Sequence, residues 1–164
     1  MKLLWIDDDW RFNRFRYEQD RISDTGWEVD FAISICEAVD KLNSQSYQAL
    51  FLDQQFPYDD DSHIDSRQEL DIWAGNIIYA WLFSSDSDLE NAGASVRGCL
   101  ERLKNEYPPP HEDNKRLPVL ILSSYEKNKN YSSGRGKPVV NHYAKPLDVD
   151  DLLLFLSGVE REFD

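Results

Sequence analysis

Positive charge, cysteine and long apolar runs are all scarce in this chain of 164 residues. Its 18 lysines and arginines face 31 aspartates and glutamates, for a net charge of −13. Binding to nucleic acid draws on basic surface that displaces counterions from phosphates, so direct nucleic-acid contact is not expected. A divalent metal or a cationic partner remains compatible with the charge. Cys36 and Cys99 are the two cysteines and show no metal-type spacing. Reduced thiols in a cytoplasmic protein account for them. Apolar runs such as Leu152 to Leu156 are far too short to cross a bilayer, so no membrane partner is expected. The opening Met1 to Ile6 meets Asp7 before an export-type apolar region can form, which argues against a secretory signal.

What is present is ordinary for a globular domain: 41% hydrophobic and 30% charged residues, in a length suited to one domain. The organising stretch is Ala49 to Pro57, ALFLDQQFP. Four apolar residues that end abruptly on Asp53 read as a strand buried on both faces, as in the middle of a parallel sheet. Lys2 to Ile6 is a second such strand and ends on Asp7, Asp8 and Asp9. Asp9 is expected to cap a helix from about Trp10 to Ile22, with Phe12, Phe15 and Ile22 inward. Thr25 and Gly26 stop it, and Trp27 to Ile33 alternates as a strand with one face more exposed. Ser34-Ile35-Cys36-Glu37 is a capping box opening a helix through Ala38, Val39 and Leu42.

After Pro57, an acidic loop is expected to Asp65. Ser66 to Glu69 is a further capping box for a helix carrying Leu70, Trp73, Ile77 and Trp81. A polar break over Ser84 to Asn91 precedes an amphipathic helix, Ala94 to Tyr107, stopped by Pro108, Pro109 and Pro110. Leu117 to Leu122 is the most apolar strand and ends on Ser123-Ser124, while Tyr125 to Pro138 shows no apolar period. Val139 to Ala144 is the last strand, ending on Lys145-Pro146. Asp148 then caps a helix with Leu152, Phe155, Leu156, Val159 and Phe163 on one face. Alternating strands and helices with short links imply a parallel α/β sheet covered on both sides.

Four strands therefore finish on polar groups that a parallel sheet would gather at one edge: Asp7, Asp8 and Asp9, then Asp53, Ser123 and Lys145. Crowded carboxylates repel unless a cation sits among them, and Mg²⁺ takes one or two carboxylates with water and phosphate. A serine hydroxyl and a lysine ammonium facing that cation make a phosphoryl site, with Asp53 as its nucleophile.

These motifs, LLWIDDD, FLDQQFP, PVLILSS and HYAKPL, resemble the receiver domain of bacterial response regulators. The resemblance implies a three-layer, flavodoxin-like (CheY-like) doubly wound sheet of five parallel strands, order 2-1-3-4-5, in a single domain with a helical insertion at about 58–116. It implies that Asp53 is the phosphoacceptor, that Asp8 binds Mg²⁺ directly and Asp7 through water, and that the main-chain oxygen of Gln55 is a further ligand. Ser123 would contact the phosphoryl group and Lys145 would pair with it, next to a cis bond at Pro146. Gln55 and Tyr125 occupy positions that tune the acyl-phosphate lifetime. His142 stands where the family has its switch aromatic. The donor would be a histidine kinase or phosphotransfer protein, and the output would pass to a separate protein partner, because only one helix follows Lys145. Such a domain is a signalling device rather than a turnover enzyme.

Two alternatives remain. The polar segment after Ser124 is unlike the family's fourth helix, which fits a degenerate receiver that only binds a partner. Asp7 and Asp9 also match the DxD of haloacid-dehalogenase-like phosphatases, although that assignment leaves Asp53 without a task.

Overall fold

A computed structural model of the protein describes residues 1–58, 74–83, 94–123 and 140–163. The chain opens with β1 (Lys2–Ile6), a 3-10 turn (Asp8–Phe12), α1 (Arg16–Ser23), β2 (Glu28–Ala32), α2 (Ile35–Ser44) and β3 (Ala49–Asp53). It continues with α3 (Ala74–Phe83), α4 (Ala94–Glu106), a second 3-10 turn (Glu112–Arg116), β4 (Val119–Ser123), β5 (Val140–Ala144) and α5 (Val149–Phe163). The strands pair in parallel in the order β2-β1-β3-β4-β5, the doubly wound arrangement that the receiver resemblance implies.

Strand alternation sorts the core into two layers. Leu4, Ile6, Leu50, Leu52, Val119 and Ile121 pack with α2, α3 and α4 on one side. Leu3, Trp5, Phe51, Leu120 and Leu122 pack with α1 and α5 on the other. All five residues of β3 are buried, as a central strand covered on both faces requires. The edge strand β2 is the more exposed. Ser34 caps α2 by accepting from the Glu37 N–H at 3.2 Å. The return bond from Glu37 lands on the Ile33 N–H at 3.0 Å, one residue before the cap. Asp148 accepts from the Asp150 N–H at 2.9 Å and starts α5, whose Leu152, Phe155, Leu156 and Val159 are buried.

The first helix departs from expectation. Asp7, not Asp9, is the cap: its backbone is extended and its carboxylate accepts from the Asp9 N–H at 3.0 Å. The turn it opens is 3-10 and ends at Asn13, which lies in the left-handed region at φ 53, where asparagine is one of the few side chains at ease. The α-helix begins only at Arg16, so Phe12 swings outward and is 66% exposed, while Phe15 and Ile22 are buried as expected. The expected loop to Asp65, the capping box at Ser66 to Glu69, Leu70, Trp73, the break at Ser84 to Asn91 and the segment from Tyr125 to Pro138 lie outside the described residues. Ile77 and Trp81 of α3 are buried. Among the described residues, no helix is long and apolar enough to cross a membrane.

Candidate functional site

Parallel register decides which side chains meet at the carboxyl edge. Ile6 lies beside Leu52, Asp53 beside Leu122, and Ser123 beside Ala144. The residues that follow β1 and β5, and those that end β3 and β4, therefore emerge side by side. Asp7 is fixed there by its N–H bond to the Ala32 carbonyl at 3.0 Å, and Lys145 by its N–H bond to the Ser123 carbonyl at 2.9 Å. The Lys145–Pro146 peptide is cis.

Side chains separated by most of the sequence now touch. The Lys145 ammonium lies 2.8 Å from an Asp7 carboxylate oxygen and 3.1 Å from one of Asp53. One carboxylate oxygen from each of Asp7, Asp8 and Asp53 falls within a 4.8 Å cluster. Asp7 is fully buried, Asp53 is 7% exposed and Asp8 is half-buried. The Gln55 N–H points at the second Asp53 oxygen at 3.3 Å. Asp9 is not in the cluster; its carboxylate pairs with Arg14 at 3.1 Å. The phosphatase assignment needs Asp7 and Asp9 to act together, and that pairing draws Asp9 away.

The electrostatics follow from burial. Removal from water pushes Asp7 up to about 6, reinforced by the charge on Asp53 and opposed by Lys145. Burial likewise raises Asp8, with Asp7 and Asp9 adding to it, and raises Asp53 against the pull of Lys145. For Lys145 the burial penalty is outweighed by the Asp53 and Asp7 charges, so its affinity for a proton rises. Among the described residues, three carboxylates gather around one ammonium, so that with all three ionised the cluster carries a surplus of two negative charges. Hard oxygens at this spacing with a surplus of that size fit a divalent cation such as Mg²⁺.

Among solved structures, this arrangement of strands and helices has counterparts. A receiver domain of a Francisella response regulator superposes with a TM-score of 0.56 at 19% identity, covering 99% of this chain and 98% of that one. The fold is that of a response-regulator receiver. A TrrA response regulator from Thermotoga maritima, in complex with Mg²⁺ and BeF, matches the same receiver fold with a TM-score of 0.52 at 19% identity, over 96% of this chain and 97% of that one. A Burkholderia pseudomallei response regulator with a phosphorylated aspartic acid matches at 0.53 and 18% identity, over 98% of this chain and 71% of that one. No protein-family model matches the sequence, and no curated protein matches it.

Within this receiver fold, Gln55 is exposed beyond Asp53, and His142 lies on β5 opposite Ile121. Tyr125 is outside the described residues. His111 is exposed and caps the second 3-10 turn by accepting from the Asp113 N–H at 3.4 Å, a structural task rather than a ligand's. Three neighbours of the site escaped sequence reasoning. Phe15, noted only as a core position, lies with its ring centroid 5.8 Å from the Lys145 ammonium. Gln54 is 2% exposed immediately after Asp53. Gly75 brings α3 against that same backbone. An isolated glycine in an otherwise apolar helical pattern is the signal that could have found the last.

Proposed function

We propose that the protein is a phosphorelay receiver: Asp53 accepts a phosphoryl group in a Mg²⁺-dependent reaction, and the modified domain signals to a protein partner. The observation that carries this reading is the meeting of Lys145 with both Asp7 and Asp53, beside Asp8, at the carboxyl edge of the sheet.

Asp7, Asp8, Asp53 and the main-chain oxygen of Gln55 are the groups that would hold Mg²⁺. When bound, the ion supplies positive charge that offsets the carboxylates and the incoming phosphoryl oxygens. The protein's own residues do the rest. A carboxylate oxygen of Asp53 attacks the phosphorus of a phosphohistidine on a histidine kinase or phosphotransfer protein. The P–O bond forms as the P–N bond breaks, and the electron pair leaves on the imidazole nitrogen. Lys145 meets the charge developing on the transferred group, and the Ser123 hydroxyl donates to one of its oxygens. Water later attacks the acyl phosphate, at a rate that Gln55 and Tyr125 tune. His142 serves at the switch position. Solved proteins of the same fold that carry a phosphorylated aspartic acid or Mg²⁺ with BeF support the reading.

Incubation with Mg²⁺ and a small acyl-phosphate donor, followed by intact-mass measurement, tests it. The wild type is expected to gain one phosphoryl group, and Asp53→Asn none. A wild type of unchanged mass would favour the degenerate, partner-binding receiver instead.

A further inference from the structure

One peptide unit between the Asp53 carboxylate and α3 carries a hydrogen bond at each end. Its carbonyl, from Gln54, accepts from the Gly75 N–H at 3.3 Å. Its N–H, from Gln55, donates to the Asp53 carboxylate at 3.3 Å. A peptide unit is rigid and planar, so neither end can rotate without the other. The approach of α3 is also close. A Cβ at position 75 would stand 2.6 Å from the Gln54 side-chain nitrogen, and nearer still to the Asp53 carbonyl oxygen. Only glycine fits. Behind Gly75, Ile77, Ile78, Trp81 and Leu82 are buried, so α3 is packed into the core and cannot drift independently.

We propose that the Gln54–Gln55 peptide couples the Asp53 carboxylate to α3, making Gly75 a positioning residue for the phosphoacceptor and α3 the element that reads its modification. This rests on the receiver reading and deepens it by naming where the signal leaves the site. Turning the carboxylate into an acyl phosphate changes the acceptor that the Gln55 N–H faces and places new oxygens beside it. The peptide turns toward them, and the Gln54 carbonyl leaves the Gly75 N–H. Coupling of this kind is reciprocal: a partner that fixes α3 would alter the reactivity of Asp53.

Hydrogen exchange at the Gly75 amide and along 74–83 tests the coupling, measured on the full chain with Mg²⁺ before and after treatment with a small acyl phosphate. Exchange at Gly75 is expected to quicken by about fivefold or more on phosphorylation, and not at all in Asp53→Asn. Gly75→Ala is expected to slow phosphorylation by about tenfold to a hundredfold, and its α3 exchange should no longer respond to the donor. If that variant does not fold, the wild-type exchange still decides. A phosphorylated wild type with unchanged or slower Gly75 exchange overturns the coupling while leaving the receiver reading intact. A wild type that takes up no phosphoryl group removes both.

Discussion

The two edges of the sheet both bury polar side chains, and they treat them in opposite ways. At the amino edge, Asn114 is completely buried and its amide is fully matched: its oxygen accepts from the Tyr47 N–H at 2.9 Å, and its nitrogen donates to the Leu42 and Gln45 carbonyls, each at 2.8 Å. The Tyr47 hydroxyl and the Gln45 amide both donate to Asp30, and burial together with that bond holds the phenol well above its usual range. At the carboxyl edge, among the described residues, three acids cluster around one lysine that pairs with two of them. A satisfied network fastens a fold, whereas an unbalanced one stores repulsion that an incoming cation relieves. The difference separates an edge whose polar groups are matched from one whose charges are not.

Breaking the amino edge should have the largest effect. Asn114→Ala leaves the buried Tyr47 N–H and the part-buried Gln45 carbonyl without their partner and is expected to cost about 3 to 5 kcal/mol in urea unfolding. A loss below about 1 kcal/mol would show that the two edges are not so different.

The carboxyl edge should respond to pH in the opposite sense to an ordinary stabilising carboxylate. Asp7 is raised to about 6 in the folded protein, so the fold favours its protonated form. Its contribution is full below the usual carboxylate range and is lost as the pH climbs through about 6. For Asp7 alone this amounts to about 2 to 3 kcal/mol in the metal-free protein, and the upward shifts of Asp8 and Asp53 act in the same direction. Mg²⁺ is therefore expected to raise the Tm more at pH 7.5 than at pH 5. Equal gains at both values would mean that the ion does not meet these carboxylates.

The smallest effect sharpens the comparison by locating where the carboxyl edge stops. Phe12 follows the acidic run but is exposed, so Phe12→Ser should change stability by no more than about 0.5 kcal/mol in the same unfolding assay.

Much of the architecture could be read from the chain because it is written in local terms. Apolar runs that end on a polar group gave β1, β3, β4 and β5, alternation gave β2, and Ser34 with Glu37 marked a helix start within one residue. The convergence of Asp7, Asp53 and Lys145 followed once the strands were taken as parallel, since parallel ends share an edge. Reading failed where local signals tied. Asp7, Asp8 and Asp9 are equivalent as letters, and only the extended backbone leaving β1 makes Asp7 the cap. Asn13 in the left-handed region then delays the helix and turns Phe12 outward, which periodicity alone could not show. Asn114 and Gly75 stayed hidden for another reason. Each matters through partners far away in sequence: nothing in HEDNKR announces a distant carbonyl, and the isolated glycine in WAGNI signals a close approach without saying to what.

The aromatic wall behind the lysine has a practical use. Trp5 lies 4.9 Å from Phe15 and 5.2 Å from Phe51, ring centre to ring centre, and Trp10 lies 5.4 Å from Phe15. Phe15 in turn faces Lys145. Two indoles are thus stationed one ring away from the ammonium, so the protein carries its own optical probe and ion titrations can be followed by tryptophan emission without an attached dye.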